Sequence, residues 1–365
     1  MQFETPVPCL PEGLALRPEH SSQPLDAAAV SAWLAGQGAE GLDLRVAPRQ
    51  FAGGLANLNY LIRLGEAWAV LRRPPAGPLP PGANDMAREH RILSRLWQAL
   101  PLAPRSLHLC TDPAVIGVPF QIIEFRSGLT LRGDGLDPLP ATPETGARLS
   151  EVLVETLARV HAVDPGSVGL DSLGRPEGFF RRQVTGWIGR AADAAGGDLP
   201  ETARQIAIWL DACPEPRASG TVLLHSDIKL DNLLLDPATS RPTTLVDWDM
   251  GTRGPALFDL ATTLSYWTET GDPECMHRLA QMPTARPGFM TREQAAAAYA
   301  RHTGCDIGDI RPWRVLTILK LAVVFLQLHR RHVTGETADP RYAAFGTLGH
   351  DLFDFALDVA RGRLF

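Results

Sequence analysis

Apolar and polar side chains alternate in the first third of the chain in the way that β-strands require. Residues 45–72 follow the pattern strand, turn, strand, turn, strand, with apolar side chains at Tyr60, Ile62 and Leu64. Residues 118–125 form another short apolar run of the same kind. Alternation with a period of two, broken by turn residues, predicts a small antiparallel sheet.

Helical spacing accounts for a leading segment and for most of the chain after this sheet. Asp26 is the predicted N-cap of a helix over residues 27–34, and residues 84–100 carry an apolar stripe that includes Glu89. Residues 150–161 and 311–332 repeat apolar side chains at the same spacing. The pattern therefore predicts an α+β protein with a larger, mainly helical C-terminal part.

Composition narrows the class of protein. The 365 residues, 45% of them hydrophobic, suffice for one large or two modest globular domains. A net charge of −6 without a basic stretch argues against nucleic acid as a partner. The apolar run 315–328 contains Lys320 and Gln327, which predicts a buried helix and no membrane span. Five scattered cysteines and an N-terminus without signal-peptide features predict a cytoplasmic location.

The candidate chemistry lies around a predicted hairpin. Two short runs, residues 233–235 and 243–246, flank a segment rich in turn residues, and pairing them places Asn232 beside Asp247. An amide oxygen and a carboxylate are ligands that suit Mg²⁺. Asp227 precedes Asn232 in the loop that leads into the hairpin, where a carboxylate can accept the proton of an attacking hydroxyl.

These residues resemble the protein-kinase-like superfamily. The spacing His225-x-Asp227-x-x-x-x-Asn232, followed by a hairpin and an aspartate, is similar to its catalytic and metal-binding loops. Asp247-Trp248-Asp249 and Asp259-Leu260-Ala261 are typical of the aminoglycoside phosphotransferase and choline kinase branch. Four further stretches resemble the subgroup found alone in bacteria or fused to acyl-CoA dehydrogenases: Phe51-Ala52-Gly53-Gly54-Leu55-Ala56-Asn57, Val70-Leu71-Arg72-Arg73-Pro74-Pro75, Gly174-Arg175-Pro176-Glu177-Gly178 and Arg330-Arg331-His332-Val333-Thr334-Gly335-Glu336.

The resemblance implies a bilobal protein-kinase-like fold. Residues 1–126 would form a nucleotide-binding N-lobe with an antiparallel sheet and a leading helix. Residues 127–365 would form a mainly helical C-lobe with the catalytic loop and the substrate cleft. ATP and Mg²⁺ are the implied cofactors and a small-molecule hydroxyl is the implied acceptor, whereas the oligomeric state is not predicted.

The same resemblance assigns roles to individual residues. Asp227 and Lys229 would be catalytic, and Asn232 and Asp247 would bind the metal. The cofactor-binding set comprises a phosphate loop, a cation with its carboxylate partner, and a backbone segment against adenine: Gly53, Gly54 and Asn57; Arg72 and Glu89; and Ile123, Glu124 and Phe125.

Several of these assignments have plain structural alternatives. The glycines can serve as an ordinary hairpin turn, and Glu89 can lie at the edge of its stripe with the carboxylate in solvent. Asp249 either contacts a second metal ion or caps the helix predicted to begin near residue 254, and Asp259 is expected to anchor the catalytic loop. Arg181 and Arg182 either meet an anionic substrate group or form a solvated helix face.

The predicted function is transfer of the γ-phosphate of ATP to a hydroxyl of a small molecule, with a hydroxyacyl compound as the suggested acceptor. Two alternatives stay open. One is an aminoglycoside or other antibiotic kinase, and the other is a nucleotide-binding pseudokinase scaffold without turnover. The chain length between Asp247 and Asp259 is too short for a peptide-binding activation segment, which argues against a protein kinase.

Overall fold

The structure is a computed structural model, and it describes residues 9–53, 57–75, 84–216, 220–337 and 340–365. The chain divides into two units. Unit 1 contains residues 1–129 and 234–251, and unit 2 contains residues 130–233 and 252–365. This division begins close to the expected boundary after residue 126. It differs in placing residues 234–251 with the N-terminal sheet.

The described strands are short and antiparallel wherever their register is defined. They are β1 (Arg49–Gln50), β2 (Leu58–Leu64), β3 (Ala67–Arg73), β4 (Ser106–Cys110), β5 (Phe120–Glu124), β6 (Leu129–Thr130), β7 (Thr221–Leu224), β8 (Leu233–Leu235), β9 (Pro242–Leu245) and β10 (Thr252–Pro255).

The described helices are concentrated in unit 2. They are α1 (Ala27–Gly36), α2 (Met86–Leu96), α3 (Pro143–His161), α4 (Phe179–Ala194), α5 (Glu201–Ala212), α6 (Ala256–Ser265), α7 (Glu274–Leu279), α8 (Arg292–Thr303), α9 (Arg311–Val333) and α10 (Phe345–Ala360). The predicted α+β class is confirmed.

Unit 1 is built on a five-stranded sheet with the order β1-β2-β3-β5-β4. Two of the alternating residues predicted from the sequence, Tyr60 and Ile62, lie in its core, where they and Leu71 pack with Val30 and Leu34 of α1. These five side chains are almost completely buried, and each such burial stabilises the fold by roughly 1.5–3 kcal/mol. The leading helix is therefore part of this core. The alternation is incomplete, because Leu64 is only partly buried and Leu61 on the opposite face is buried as well.

The predicted hairpin is present as β8 and β9, in a three-stranded sheet with the order β6-β8-β9. Its turn is closed by Asp236, whose carboxylate accepts hydrogen bonds from the backbone N–H groups of Ala238 at 3.0 Å and Thr239 at 2.8 Å. A carboxylate that accepts these amides favours the chain reversal predicted from the turn residues.

Helix α9 is the central helix of unit 2, where it packs against α4, α5, α6 and α10. It is long and apolar enough to cross a membrane by length and composition alone, but 78% of its most apolar window is buried inside the protein. The predicted buried helix is confirmed, and it includes Lys320, which is only 5% exposed.

Replacing the N-cap of α1 tests how much the capping hydrogen bond contributes to stability. The Asp26 carboxylate accepts a hydrogen bond from the Ala29 N–H at 2.9 Å, as predicted for an N-cap. We expect Asp26→Ala to lower the free energy of unfolding by about 1 kcal/mol in a urea titration. Asp26→Asn keeps the capping oxygen and is the matched control. Equal losses in both variants would contradict the capping role.

Candidate active site

The loop that follows β7, which the sequence predicts to be catalytic, is anchored by Asp259 in the first turn of α6. The Asp259 carboxylate is fully buried and accepts the backbone N–H groups of His225 at 2.8 Å and of Ser226 at 2.6 Å. A buried carboxylate is costly unless such donors compensate it, so each group requires the other. The expectation that Asp259 anchors the loop is confirmed.

The next peptide of the loop is held by a buried cation. Ser226 has a φ of +69°, and its carbonyl oxygen accepts a hydrogen bond from Lys320 Nζ at 2.8 Å. Thr263 of α6 donates to the carbonyl of Ile228 at 3.1 Å. The left-handed conformation of a non-glycine residue therefore persists because the surrounding groups hold it.

Asp227 is surrounded by donors. Tyr266 Oη donates a short hydrogen bond to Oδ1, and Asn232 Nδ2 donates to Oδ2 at 2.8 Å. Lys229 Nζ lies 3.5 Å from Oδ2. Burial works to raise the pKa of Asp227, but the charges of Lys229 and Lys320 and the Tyr266 hydrogen bond together hold it below its ordinary value. Asp227 is therefore ionised at neutral pH, as a general base must be.

The amide of Asn232 has a defined orientation. Its nitrogen donates both to Asp227 Oδ2 and to the Asp227 backbone oxygen, each at 2.8 Å. The carbonyl oxygen must then point away from Asp227, which is the orientation that an amide ligand of Mg²⁺ needs.

His161 is a packing residue whose two ring nitrogens both have partners. Its Nδ1 lies 2.7 Å from the hydroxyl of Tyr299, and its Nε2 lies 3.3 Å from Asp259 Oδ2. It therefore supports the carboxylate that anchors the loop.

In unit 1, Arg72 lies among three carboxylates. Its Nε lies 2.7 Å from Glu89 Oε2, and its Nη2 makes a short ion pair with Asp247 and lies 3.7 Å from Asp249 Oδ2. The predicted pairing of Arg72 with Glu89 is confirmed. Glu89 is 1% exposed, so the alternative of a carboxylate in solvent at the edge of its stripe is wrong.

Glu89 also connects α2 to the segment after the hairpin. It accepts the backbone N–H of Trp248 at 3.0 Å and a short hydrogen bond from the side chain of Gln121. Asp247 has a φ of +70°, and its carboxylate is 30% exposed. These contacts explain why residues 234–251 belong with the N-terminal sheet.

The charges of this cluster do not cancel, since one guanidinium faces three carboxyl groups. Burial alone would lower the pKa of Arg72, but the carboxylates of Asp247, Glu89 and Asp249 raise it well above its ordinary value. Burial, and repulsion from Asp247, raise the pKa of Asp249 well above 3.8, and burial likewise raises that of Glu89. A divalent cation bound by the more exposed Asp247 would relieve this excess of negative charge, so the residues present fit Mg²⁺.

The predicted phosphate loop is only partly described. Gly53 has a φ of +88°, which glycine adopts at little cost, whereas Gly54 lies outside the described residues. Asn57 donates to Asp249 Oδ2 at 2.9 Å and accepts from Asn84 Nδ2 at 2.8 Å. Its amide therefore supports the acidic cluster, and its phosphate role stays a prediction.

The predicted adenine segment lies at the end of β5. Ile123 and Glu124 pair with Val70 and Ala69 of β3, and Phe125 follows directly. The Glu124 carboxylate accepts from the Arg105 N–H at 3.0 Å. Adenine recognition by this backbone stays a prediction.

The contacts of Asp249, Arg181 and Arg182 bear on the alternatives that the sequence leaves open. Asp249 does not cap α6, whose N-cap is Pro255. Arg181 donates to the carbonyls of Leu210 and Cys213 at the end of α5, and Arg182 donates to those of Glu177 and Arg175. The two arginines therefore hold backbone segments together, and they remain on a solvent-accessible helix face, with Arg182 exposed and the Arg181 side chain 37% exposed. Contact of either arginine with an anionic substrate group stays a prediction.

The chain is similar to known phosphotransferases in sequence and in fold. A model of the "Phosphotransferase enzyme family" matches residues 48–301, which is more than half of the chain. The chain belongs to this family. A curated relative, acyl-CoA dehydrogenase family member 10 of Mus musculus, is 29% identical over 315 residues, covering 85% of this chain and 29% of the relative. The phosphotransferase thus spans less than half the length of the curated relatives it matches.

Solved structures share the fold of this phosphotransferase. A protein of Ralstonia eutropha, described as a proposed aminoglycoside phosphotransferase, superposes with a TM-score of 0.74 at 24% identity, covering 92% of this chain and 98% of the other. Ethanolamine kinase of Plasmodium vivax superposes with a TM-score of 0.59 at 14% identity, covering 87% and 84%. The protein-kinase-like fold class is therefore confirmed.

Tyr266 and Lys320 were not predicted as members of the site. The sequence could have indicated Lys320, because a lysine within an apolar helical run needs a buried hydrogen-bond partner. The sequence gives no indication of Tyr266, since this residue lies outside every motif and contacts Asp227 only through the tertiary fold.

Replacing Ser226 by glycine tests the backbone strain of the loop. Relative to Ser226→Ala, which retains a Cβ at positive φ, we expect Ser226→Gly to increase the free energy of unfolding by about 1 kcal/mol. Denaturant unfolding of both variants measures the difference. A glycine variant less stable than the alanine variant would show that the conformation carries no such cost.

Replacing Asp249 by asparagine tests the unbalanced charge. The folded-state pKa of Asp249 is raised, so its ionisation destabilises the fold increasingly as the pH rises above about 4. Asparagine retains an acceptor for Asn57 but does not ionise. In metal-free buffer, Asp249→Asn should therefore exceed the wild type in stability at pH 7.5, by about 1.4 kcal/mol per unit of pKa elevation.

The difference should disappear as the pH falls towards 4, because Asp249 is then protonated in the folded wild type. Urea unfolding at several pH values measures it, with Asp26→Asn as the control. A difference that does not change with pH would contradict the raised pKa.

Proposed function

We propose that this phosphotransferase is an ATP- and Mg²⁺-dependent kinase that phosphorylates a hydroxyl of a small molecule. The observation that carries the proposal is the arrangement of Asp227 and Asn232. One short loop presents an ionised carboxylate and, bonded to it, an amide whose oxygen points away. A base and a metal ligand from the same loop are what phosphoryl transfer to an alcohol requires.

In the proposed reaction, Asp227 accepts the proton of the acceptor hydroxyl as its oxygen bonds to the γ-phosphorus. The bond between that phosphorus and the bridging oxygen breaks, and ADP leaves with the electron pair. The proton on Asp227 then passes to solvent. Asp227 therefore aligns the nucleophile and holds its proton, and Lys229 keeps positive charge beside this carboxylate.

The metal ligands in this proposal are those that the sequence predicts, Asn232 and Asp247. When bound, Mg²⁺ would neutralise charge on the phosphate oxygens. The Arg72–Glu89 ion pair is proposed to orient phosphate, because the guanidinium is permanently charged and rigidly held. Gly53, Gly54 and the backbone of residues 123–125 are the proposed contacts for phosphate and adenine.

The acceptor that we propose is a hydroxylated acyl compound, such as a hydroxyacyl-CoA or the free hydroxy acid. The names of the curated relatives, acyl-CoA dehydrogenase family members 10 and 11, support this class. Arg181 and Arg182 do not, because both donate to backbone carbonyls.

Asp227→Asn tests the kinase directly. With Mg²⁺ and ATP, the wild type should phosphorylate one class in a panel of hydroxyacyl-CoAs, hydroxy acids, choline and aminoglycosides. Loss of the general base should lower kcat by about 10²–10⁴-fold. Binding of MgATP, measured by calorimetry, should persist.

Asp26→Asn is the matched control, because it makes the same chemical change at an exposed helix N-cap that has no role in the proposed reaction. Binding of MgATP by the wild type without turnover of any acceptor would favour the pseudokinase. Absence of nucleotide binding would contradict the kinase proposal altogether.

A further inference from the structure

We propose that Tyr266 is a positioning residue that determines which oxygen of Asp227 receives the proton of the acceptor. This inference rests on the proposed function and adds a residue that belongs to no sequence motif of the catalytic loop. Tyr266 directly follows α6 and contacts Asp227 through its hydroxyl group. It is therefore hydrogen-bonded to the proposed base without being assigned a contact to the acceptor itself.

The two oxygens of Asp227 have different environments. Oδ2 accepts from Asn232 Nδ2 at 2.8 Å and has the ammonium of Lys229 at 3.5 Å. Oδ1 accepts from the hydroxyl of Tyr266. A carboxylate oxygen accepts about two hydrogen bonds. Oδ1 therefore retains the capacity to accept a further proton donor, whereas Oδ2 already accepts from Asn232 and has the Lys229 ammonium beside it.

Tyr266 is well held for this role. It is 7% exposed, and its backbone N–H donates to the carbonyl of Thr263 at 3.1 Å. Lys229 Nζ lies 5.0 Å from the centre of its ring, a distance at which a cation and an aromatic face attract each other. The direction of the hydroxyl is thus determined by packing, and the hydroxyl in turn opposes rotation of the Asp227 carboxylate.

These contacts define where the acceptor hydroxyl approaches. Its proton is transferred to Oδ1 beside the Tyr266 hydroxyl, its oxygen bonds to the γ-phosphorus, and ADP leaves. Tyr266 keeps its own proton throughout and acts only through the orientation of Asp227. Loss of the hydroxyl would leave the carboxylate held through Oδ2 alone, and the added freedom of Oδ1 would lower the fraction of molecules in the reactive geometry.

Tyr266→Phe removes this hydroxyl and keeps the ring that contacts Lys229. With the acceptor identified in the panel above, we expect kcat to fall about 10- to 100-fold. KM for the acceptor and the affinity for MgATP should be unchanged, because neither ligand contacts Tyr266 in the proposal. A change in folding alone would lower the active fraction and the stability together, so thermal unfolding is measured in parallel.

Tyr60→Phe is the matched control. Tyr60 is also a buried tyrosine with a hydrogen-bonded hydroxyl, which donates to the carbonyl of Gln23 at 3.1 Å, and it has no role in the proposed reaction. This variant should retain the wild-type kcat. An equal loss of kcat in both variants would overturn the specific role of Tyr266.

A spectroscopic measurement tests the contact independently of turnover. In protein labelled with ¹³C at the tyrosine ζ carbon, the Tyr266 signal is assigned by its absence from Tyr266→Phe. We expect Asp227→Asn to move this signal and to leave that of Tyr60 in place. A Tyr266 signal that does not move in Asp227→Asn would overturn the inference. So would a Tyr266→Phe variant whose kcat equals that of an active wild type. A wild type that phosphorylates no acceptor would instead overturn the proposed function, and this role with it.

Discussion

The predicted catalytic loop depends on one buried interaction, in which the carboxylate of Asp259 accepts two successive backbone N–H groups. This carboxylate is fully buried, and without those donors its burial would cost several kcal/mol. The two amides fix the backbone at His225 and Ser226, which determines where Asp227 points. Lys320 is also buried and donates to the Ser226 carbonyl. A site whose groups are already oriented needs little reorganisation when a substrate binds, which favours catalysis by positioning.

In unit 1, by contrast, the charges of neighbouring side chains do not compensate one another. Arg72, Glu89, Asp247 and Asp249 form a cluster with more carboxylates than cations, and the raised pKa values of Glu89 and Asp249 reflect that excess. A cluster of this kind is destabilising by itself and becomes favourable when a cation binds. Perturbed carboxyl groups beside a partly exposed aspartate are a physical mark of a functional site, and here they coincide with the aspartate that the sequence predicts as a metal ligand.

Local periodicity and local chemistry specify the elements that could be predicted from the sequence. The alternation around Tyr60, the cap at Asp26 and the hairpin turn at Asp236 were all readable because the causes lie within a few residues of one another. A partner for Glu89 was also predictable, because a carboxylate within an apolar helical stripe is costly unless it is paired, and the family resemblance identified Arg72 as that partner.

Contacts between distant segments were accessible only in the folded protein. Packing associated residues 234–251 with the N-terminal sheet, directed the amide of Asn57 to Asp249, and engaged Arg181 with backbone carbonyls. It also placed Tyr266, 39 residues away in the chain, on the carboxylate of Asp227. Such contacts have no sequence signature, because the packing of α6 determines the direction of a hydroxyl group and no local pattern encodes it.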